Sequence, residues 1–510
     1  MSAQESAPTD LTTTVYRVII NKLATCVPGL DEVLGGGLPE YSFNLIAGAP
    51  GTGKTTLSQQ LMFALGTPER PALHFTVVGE PSLKLLRYQQ QFSFFEAAKV
   101  GRSVHYVNLS HTTLEQGLDA VLDTMVAEVA RISPGVVVVD SFRTVVRSAN
   151  TALDPGMELQ GFLERLALQL TTWQATTFLV GEYDENDTPN NPVFTVADGI
   201  LWLYQSIERN SGVRKMRVAK MRGQSPLPGL HTLRITADGL DVFPRIIKRI
   251  NNPDRQLPTR RLSTGVAELD KMLGGGVPAG DSILVTGPAG SGKSALATQF
   301  IAAGLSQGEP AVIAVFEEHP REFLAHAQSR APNLAGSVSK GLLEVIYLRP
   351  LDLSVDEALL EIQAAVARTN AQRLVIDSLS GFELALAPTF REEFRESLYR
   401  MVGALTGAGV TVFMTTEVAQ TFTDLRFSTE LISFLTDDII VQRYVEIEGE
   451  IHKVMTVIKM RGSEHSKALR LYEITRTGLE VGAALPDYRG IITGVAQRYN
   501  RTEAGKELAQ

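Results

Sequence analysis

The sequence predicts an α/β fold made of two tandem domains, each with a mostly parallel β-sheet flanked by helices. Short continuous apolar segments alternate with longer helical segments, which is typical of strands buried on both faces. A glycine-rich motif that binds phosphate stands between one such strand and a helix. The whole arrangement occurs twice along the chain.

Length and composition limit the class of protein. A chain of 510 residues is too long to fold around one hydrophobic core. Its content of 44% hydrophobic and 20% charged residues is ordinary for a globular protein. The net charge of −8 argues against nucleic acid as a partner. Cys26 is the single cysteine, so no intrachain disulfide can form. With a polar start and no apolar run of about 18 residues, we expect a cytoplasmic protein without a membrane segment.

Two long matches at one offset identify a duplication. The segment L-D-E-V-L-G-G-G-L-P at 30–39 returns as L-D-K-M-L-G-G-G-V-P at 269–278, an offset of 239 residues. The phosphate-loop motif returns at the same offset, from 48–55 to 287–294. Two copies of one domain therefore lie in tandem.

The domain boundary falls near 243–261, where Pro and Asn interrupt the pattern and six Arg or Lys residues cluster. This stretch is either a solvated linker or a basic patch for a partner or a nucleic acid, and we interpret it as a linker. The predicted divisions are a flexible N-terminus at 1–19, a first domain at 20–247, a linker at 248–260, a second domain at 261–485 and a C-terminal tail at 486–510.

The local patterns place the phosphate loops between strands and helices. F-N-L-I-A at 43–47 and S-I-L-V-T at 282–286 predict buried strands, and T-T-L-S-Q-Q-L-M-F-A-L at 55–65 predicts a helix. Each G-x-x-x-x-G-K-[ST] motif thus stands after a strand and before a helix, the context in which it binds nucleoside triphosphate. A glycine-rich turn with a surface lysine is the alternative, and it does not explain two copies at one offset.

The two loops supply the candidate nucleotide-binding residues. Backbone N–H groups of such loops surround phosphate oxygens, and the helix N-terminus adds a favourable partial charge. Lys54 and Lys293 would reach the β and γ phosphates, while the hydroxyls of Thr55 and Ser294 would hold magnesium. The predicted contacts are Gly48, Gly51, Thr52, Gly53, Lys54, Thr55 and Thr56, then Gly287, Gly290, Ser291, Gly292, Lys293, Ser294 and Ala295.

An aspartate ends a later apolar strand in each copy. V-V-V-V-D-S places Asp140 there, and R-L-V-I-D-S places Asp377. A carboxylate at this edge can hold the hydrated magnesium of the nucleotide. The alternative is an aspartate that caps a helix, but both copies place it alike, which favours the metal role.

Paired glutamates distinguish the second copy from the first. Glu317 and Glu318 follow the apolar strand at 311–316, where a carboxylate can activate water or a hydroxyl that attacks the γ phosphate. They could instead simply begin a helix, whose dipole favours acidic residues. The first copy has Val78 and Gly79 at these positions, so Glu80 is its only candidate.

These motifs in this order resemble the KaiC family of double-domain RecA-like ATPases. The resemblance covers about 20–500 and rests on both phosphate loops and on the L-G-G-G, F-E-E, V-I-D-S, T-D-D-I-I and K-M-R-G-S segments. It implies RecA-like domains that bind ATP with Mg²⁺, and a homo-hexamer of two stacked rings with ATP between subunits. It also implies a first ring that is mainly an ATPase, a second with autokinase and autophosphatase activity, and a KaiB-like or other signalling partner.

The resemblance further implies that the K-M-R-G segments contact the nucleotide of the neighbouring subunit. A positive charge at the γ phosphate would stabilise the charge that develops during transfer. Each segment could instead be a solvated surface strand, but it recurs at the same offset. The matching residues are Lys220, Met221 and Arg222, then Lys459, Met460 and Arg461, with Lys467 as a further basic position.

The sequence departs from the family pattern at the phosphorylation sites. Clock members carry an adjacent Ser-Thr pair, and the matching residues here are Ser433 and Phe434. A two-site cycle is therefore not expected unless Ser428 or Thr429 substitutes. Ser433 is either an autophosphorylation site with Glu318 as its base or a packed polar residue.

Two further departures concern the family's contacts. Gln224 and Pro226 stand where clock members place residues at the nucleotide, and the tail stops early, so binding of the activator that recognises the tail is not expected. The sequence thus favours a KaiC-like ATPase and Ser/Thr autokinase with a signalling or timing role. The alternatives are a RecA-like nucleic-acid motor and a nucleotide-dependent oligomeric scaffold with little turnover in the first domain.

Overall fold

The computed structural model describes two compact units. The described residues are 20–76, 82–109, 117–143, 155–208, 211–245, 260–348, 354–386, 394–418, 436–485, 488–489 and 497–498. Those within Met1–Gln205 and Arg214–Pro244 form the first unit, and those within Ser206–Val213 and Arg245–Gln510 form the second.

The first half of the chain alternates strands and helices as its sequence pattern predicts. Its described helices are α1 (Leu30–Leu34), α2 (Lys54–Leu65), α3 (Ser82–Gln89), α4 (Gly117–Ile132), α5 (Pro155–Thr172) and α6 (Pro192–Val196). Its described strands are β1 (Lys22–Leu23), β2 (Leu38–Pro39), β3 (Phe43–Gly48), β4 (Ala72–Thr76), β5 (Val104–Asn108), β6 (Val136–Asp140), β7 (Thr176–Glu182), β8 (Gly199–Glu208), β9 (Ser211–Met221), β10 (His231–Thr236) and β11 (Gly239–Phe243).

Nine of these strands form one sheet in the order β11-β10-β9-β8-β3-β7-β6-β4-β5. The pairings of β3 with β7 and β8, of β6 with β7 and β4, and of β4 with β5 are parallel, whereas β10 is antiparallel to β9 and β11. Leu45 and Val137 pack on one face of the sheet with α4 and α5, and Ile46 and Val138 pack on the other with α1 and α2. Because helices cover both faces, the central strands consist of continuous apolar residues.

The second half of the chain repeats this succession of elements. Its described helices are α7 (Ala267–Met272), α8 (Lys293–Ser306), α9 (Pro320–Ala327), α10 (Leu334–Ser339), α11 (Val355–Thr369), α12 (Leu379–Ala385) and α13 (Phe394–Gly407). Its described strands are β12 (Arg261–Leu262), β13 (Val277–Pro278), β14 (Ser282–Gly287), β15 (Ala311–Val315), β16 (Leu343–Tyr347), β17 (Arg373–Asp377), β18 (Thr411–Glu417), β19 (Asp438–Ile447), β20 (Glu450–Lys459), β21 (Arg470–Ile474), β22 (Leu479–Ala484), β23 (Tyr488–Arg489) and β24 (Gln497–Arg498).

The second nine-stranded sheet has the order β16-β15-β17-β18-β14-β19-β20-β21-β22. The strands from β16 to β19 pair in parallel, and β19 through β22 are antiparallel. In each sheet the strand that precedes a phosphate loop, β3 or β14, is central. The carboxyl ends of its parallel neighbours therefore emerge beside that loop, which is where open α/β sheets bind ligands.

The predicted fold class is confirmed: each half of the chain contains a mostly parallel sheet flanked by helices. The strands predicted at 43–47 and 282–286 are β3 and β14, each one residue longer, and the predicted helix at 55–65 is α2, which begins one residue earlier. Across the part of the chain that the structure describes, none of the helices has the length and apolar character needed to cross a membrane.

Candidate functional site

The first phosphate loop connects β3 to the N-terminus of α2. Gly51 and Gly53 have φ angles of 79° and 103°, in the left-handed region that favours glycine. A Cβ on Gly53 would lie 2.8 Å from Cδ1 of Ile235, a side-chain end that can shift, so the positive φ is the main reason for glycine here. Lys54 Nζ, which is mostly buried, donates to the Ala49 carbonyl at 2.8 Å. The lysine thus lies over its own loop, where its charge faces any bound phosphate.

The second phosphate loop has the same geometry between β14 and α8. Gly290 and Gly292 have φ angles of 75° and 97°, and Lys293 Nζ donates to the carbonyls of Gly287 and Pro288 at 2.9 and 2.8 Å. The buried Tyr472 hydroxyl donates to the Ser291 carbonyl at 2.6 Å and holds the middle of the loop.

The side chains at the fifth and ninth positions of the phosphate-loop motif face the protein interior to different degrees. Thr52 and Ser291 are fully buried and bond within the protein, Thr52 to the Ala49 carbonyl at 2.9 Å and Ser291 to Gln442 at 3.2 Å. Thr56 is half-buried and Ala295 is buried. Contacts of Thr52, Ser291 and Ala295 with a nucleotide would therefore come from their main chains.

Each predicted magnesium-binding hydroxyl lies against its predicted aspartate. Thr55 Oγ1 donates to Asp140 Oδ2 at 2.7 Å, and in the second unit the hydroxyl of Ser294 bonds to Asp377. Burial raises the pKa of the Asp377 carboxyl, while the bonds from Thr415 and Ser294 oppose that rise. A hydroxyl and a carboxylate side by side are oxygen ligands that suit Mg²⁺, so these residues fit the ion.

A cavity of about 300 Å³ lies over the first phosphate loop. Its walls include Gly51, Gly53, Lys54, Thr55, Asp140 and Glu182. Burial lowers the pKa of Lys54, whereas the carboxylates of Glu182 and Asp140 raise it. The cavity therefore combines backbone donors, one cation and two carboxylates at the start of a helix.

The structure separates the two glutamates of the second unit. Glu317 Oε1 accepts a hydrogen bond from Ser378 Oγ at 2.9 Å, and its charge acts on both Lys293 and Asp377. Glu318 Oε2 instead bonds to Nδ1 of His326, an exposed residue of α9, at 2.8 Å. Glu317 thus belongs to the carboxylate group at the phosphate loop, whereas the Glu318 side chain is bonded to α9.

Several predicted residues lie outside the described part of the chain. Glu80, with Val78 and Gly79, falls at 77–81, directly after β4. Ser433 and Phe434, with Ser428 and Thr429, fall at 419–435. The roles predicted for Glu80 and Ser433 stay predictions.

The K-M-R-G segments bond within their own units. Lys220 Nζ donates to the Thr195 carbonyl at 3.0 Å, and Arg222 Nη1 contacts Asp198 Oδ1 at 3.0 Å. Lys459 likewise donates to the Thr436 carbonyl, and Arg461 contacts Asp437 at 3.4 Å. The side chains of Met221 and Met460 are buried in the cores, and Lys467 is exposed. The arginines, with 62% and 76% of their side-chain surface exposed, are accessible.

Two glutamates at the phosphate loops, Glu182 and Glu417, are not among the predicted site residues. Glu182 ends β7 and pairs in register with Gly48, and Glu417 ends β18 and pairs with Gly287. Among the charges that raise the pKa of Lys293, Glu417 is the largest, as Glu182 is for Lys54. The sequence contains a pattern that could have indicated them: an apolar strand ends in glutamate in both copies, as T-T-F-L-V-G-E and T-V-F-M-T-T-E.

Comparison with known proteins gives two findings. A family model described as "ATPase: KaiC" matches the chain twice, at residues 23–246 and 262–485. The chain is 28% identical over 492 residues to the circadian clock oscillator protein KaiC of Picosynechococcus sp., covering 94% of this chain and 93% of the relative. It is 28% identical to the circadian clock oscillator protein KaiC 1 of Synechocystis sp. (96% and 94% covered) and 29% identical to KaiC of Rippkaea orientalis (94% and 92% covered).

Proposed function

Since this chain belongs to the KaiC family of ATPases, we propose that it is a homo-hexameric signalling enzyme that hydrolyses ATP and phosphorylates its own Ser433. The observation that supports ATP chemistry most directly is a group repeated in both units. It consists of a buried phosphate-loop lysine, a hydroxyl bonded to an aspartate, and a glutamate at the end of the strand beside the loop. That glutamate is Glu182 in the first unit and Glu417 in the second. A scaffold that only binds nucleotide would not need this set of carboxylates twice.

ATP would lie over each loop with its phosphates toward the helix N-terminus. Lys54 and Lys293 are already oriented over the loops by bonds to loop carbonyls. Thr55 with Asp140, and Ser294 with Asp377, would hold Mg²⁺. The ion, when bound, offsets the negative charge of the β and γ phosphate oxygens.

In the second domain, Glu317 is positioned to accept the proton of the attacking group. The Ser378 hydroxyl fixes its carboxylate, and the nearby Lys293 keeps that carboxylate beside a positive charge. The serine oxygen would form a bond to the γ phosphorus while the bond to the β–γ bridging oxygen breaks. The bonding electrons leave with ADP, and the serine proton moves to the glutamate. Glu318 could serve instead only after leaving His326.

The hexamer would complete each site with charges from the neighbouring subunit. Among the described residues, the exposed arginines Arg222 and Arg461 pair with Asp198 and Asp437, which directly precede β8 and β19. We assign them to the neighbour's γ phosphate, with Lys220, Lys459 and Lys467 as accompanying cations. A KaiB-like partner and a timing output would follow from membership of the family.

Intact-mass analysis combined with size measurement tests this function. With ATP and Mg²⁺, wild type should become six-fold larger and gain one phosphate, which peptide mapping should locate at Ser433. Ser433→Ala should assemble but gain no phosphate, and Lys293→Ala should lose phosphate gain. A chain that stays monomeric with ATP would contradict the hexamer, and an unphosphorylated wild-type hexamer would contradict the kinase.

A further inference from the structure

We propose that Glu182 is the catalytic base of the first domain, the carboxylate that takes the proton from the water attacking ATP. This inference rests on the proposed ATPase function and assigns a residue for the first domain. Glu182 is the last residue of β7, and it lies in the wall of the cavity over the first phosphate loop.

The sheet register fixes Glu182 beside the phosphate loop. It pairs with Gly48, the residue at which β3 passes into that loop. Neighbouring strands are about 4.8 Å apart, so the two main chains are in direct contact at this edge. The Glu182 carbonyl also accepts a hydrogen bond from Arg143, which follows β6 and anchors the strand end. The main chain is therefore held at this point while the carboxylate stays exposed to water.

Of the two carboxylates in the cavity wall, Glu182 is the one that does not bond to the Thr55 hydroxyl, the predicted magnesium ligand. Among the described residues that line the cavity, the acidic ones are Asp140 and Glu182. Asp140 already accepts a bond from Thr55 at 2.7 Å. Of the two, Glu182 exerts the larger charge effect on Lys54. Because Glu182 and Lys54 line the same cavity, the carboxylate would face a water that attacks the γ phosphorus of a nucleotide bound there.

The two units differ in the carboxylates that accompany the strand-end glutamate at the phosphate loop. Glu417 occupies the same position in the second unit, paired with Gly287. There Glu317 supplies another carboxylate at the loop. The first copy has Val78 and Gly79 where the second has its glutamate pair. The strand-end glutamate is therefore shared by both copies, whereas the adjacent glutamate pair is found in the second copy and not at the matching positions of the first.

The proposed step balances as a simple hydrolysis. The water oxygen forms a bond to the γ phosphorus as the bond from phosphorus to the β–γ bridging oxygen breaks. The bonding electrons leave with ADP, and the water proton moves to the Glu182 carboxylate and then to solvent. No oxidant, reductant or further reactant is needed.

Glu182→Gln in the full-length chain tests the assignment, with Lys293→Ala present to silence the second domain. The parent Lys293→Ala protein should hydrolyse ATP, and adding Glu182→Gln should lower turnover at least 100-fold. The affinity for a fluorescent ATP analogue should change less than threefold, and the size of the assembled oligomer should be unchanged. Nucleotide extracted from the variant should be ATP rather than ADP. Glu182→Asp should restore part of the activity.

A matched control removes an equal charge elsewhere. Glu128 pairs with Arg131 on the surface of α4, and Glu128→Gln should leave turnover within twofold of the parent. If Glu182→Gln turns over ATP like the parent, or if Glu80→Gln alone abolishes turnover, the assignment is overturned. A parent that binds the analogue but forms no ADP overturns the assignment while ATP binding stands. A parent that binds no nucleotide contradicts the proposed function of the first domain itself.

Discussion

Arg222 and Asp198 form an ion pair of 3.0 Å, and Arg461 and Asp437, each 239 positions later, repeat it at 3.4 Å. The aspartate is itself fixed, because Asp198 Oδ2 accepts from the Phe43 main-chain N–H at 3.1 Å. Asp437 makes the same bond to the Ser282 N–H at 3.1 Å. Exposed ion pairs contribute little to stability. We therefore interpret the pair as a device that positions the arginine.

Asp198→Asn should weaken turnover without weakening the fold. Asparagine keeps an oxygen for the Phe43 N–H but loses the charge that holds Arg222. We expect kcat of the first domain to fall about tenfold, since part of an arginine's contribution to phosphoryl transfer would be lost, with KM and thermal stability nearly unchanged. Asp198→Glu should recover part of kcat. An unchanged kcat would show that the pair does not position the arginine.

Glu317→Gln should impair phosphoryl transfer more than Glu318→Gln. Glu317 is bonded to Ser378 and acts on Lys293, whereas Glu318 is bonded to His326 on α9. Removing a positioned base typically costs about 10²- to 10⁴-fold in rate. Phosphate gain by intact mass measures both variants in parallel. The reverse order of losses would assign the base role to Glu318.

Acid should destabilise the first domain through His74. Its ring is completely buried in β4 and lies 5.4 Å from the Tyr106 ring at a tilt of 50°. Neither ring nitrogen has a hydrogen-bond partner among the described protein atoms. Burial lowers its pKa to about 3, below the unfolded value of about 6.5. The unfolded chain thus takes up a proton below pH 6.5 that the folded chain rejects, and stability falls as pH falls toward 3.

The comparison of wild type with His74→Phe isolates this effect. The unfolding free energy of wild type, relative to the variant, should fall by about 2 kcal/mol between pH 8 and pH 5. Urea denaturation at the two pH values measures it. A difference that does not depend on pH would mean that His74 titrates normally.

Asp438 should have the opposite pH dependence in the second domain. Its side chain is fully buried at the start of β19. Burial, then the charges of Asp281 and Asp437, raises its pKa to about 7, against the opposing effects of Arg461 and Arg261. The folded state keeps a proton that the unfolded state releases above about pH 4. The resulting stability is complete below pH 4 and is lost as pH rises through 7.

Asp438→Asn removes this titration while keeping the shape of the side chain. Relative to the variant, wild type should lose up to about 4 kcal/mol of unfolding free energy between pH 4 and pH 9. Thermal unfolding across this range, with Glu128→Gln as a charge control, measures the change. A variant that parallels wild type at every pH would rule out the raised pKa.

Arg373→Leu should strongly destabilise the second domain. The completely buried Arg373 bonds through Nε to Glu309 at 2.7 Å and lies over the Phe300 ring at 4.5 Å. Leucine would take this partner from the buried Glu309 and leave it only its ion pair with the exposed Arg260, at a cost of about 3 kcal/mol. Adding Glu309→Leu should recover much of the loss. Chemical denaturation of the two variants tests this, and a double variant no more stable than the single would contradict it.

The sequence alone determined the α/β class, the duplication, the phosphate loops and the two aspartates, because these depend on local patterns. A strand, a turn with left-handed glycines and a helix are encoded within about twenty consecutive residues. The edge at which Asp140 and Asp377 emerge follows from the direction of parallel strands. These features need no knowledge of which strand pairs with which.

Which carboxylates lie together depends on how the strands pair in the folded chain. Glu182 is 134 residues from Gly48 along the chain, and their adjacency is a matter of strand order and register. Glu317 and Glu318 are adjacent in sequence, yet Ser378 and His326 bind them to different neighbours. Arg222 and Asp198 meet because Asp198 directly precedes β8 and Arg222 directly follows β9, its neighbour in the sheet. Contacts between residues distant in sequence depend on packing and register, which a single local pattern does not specify.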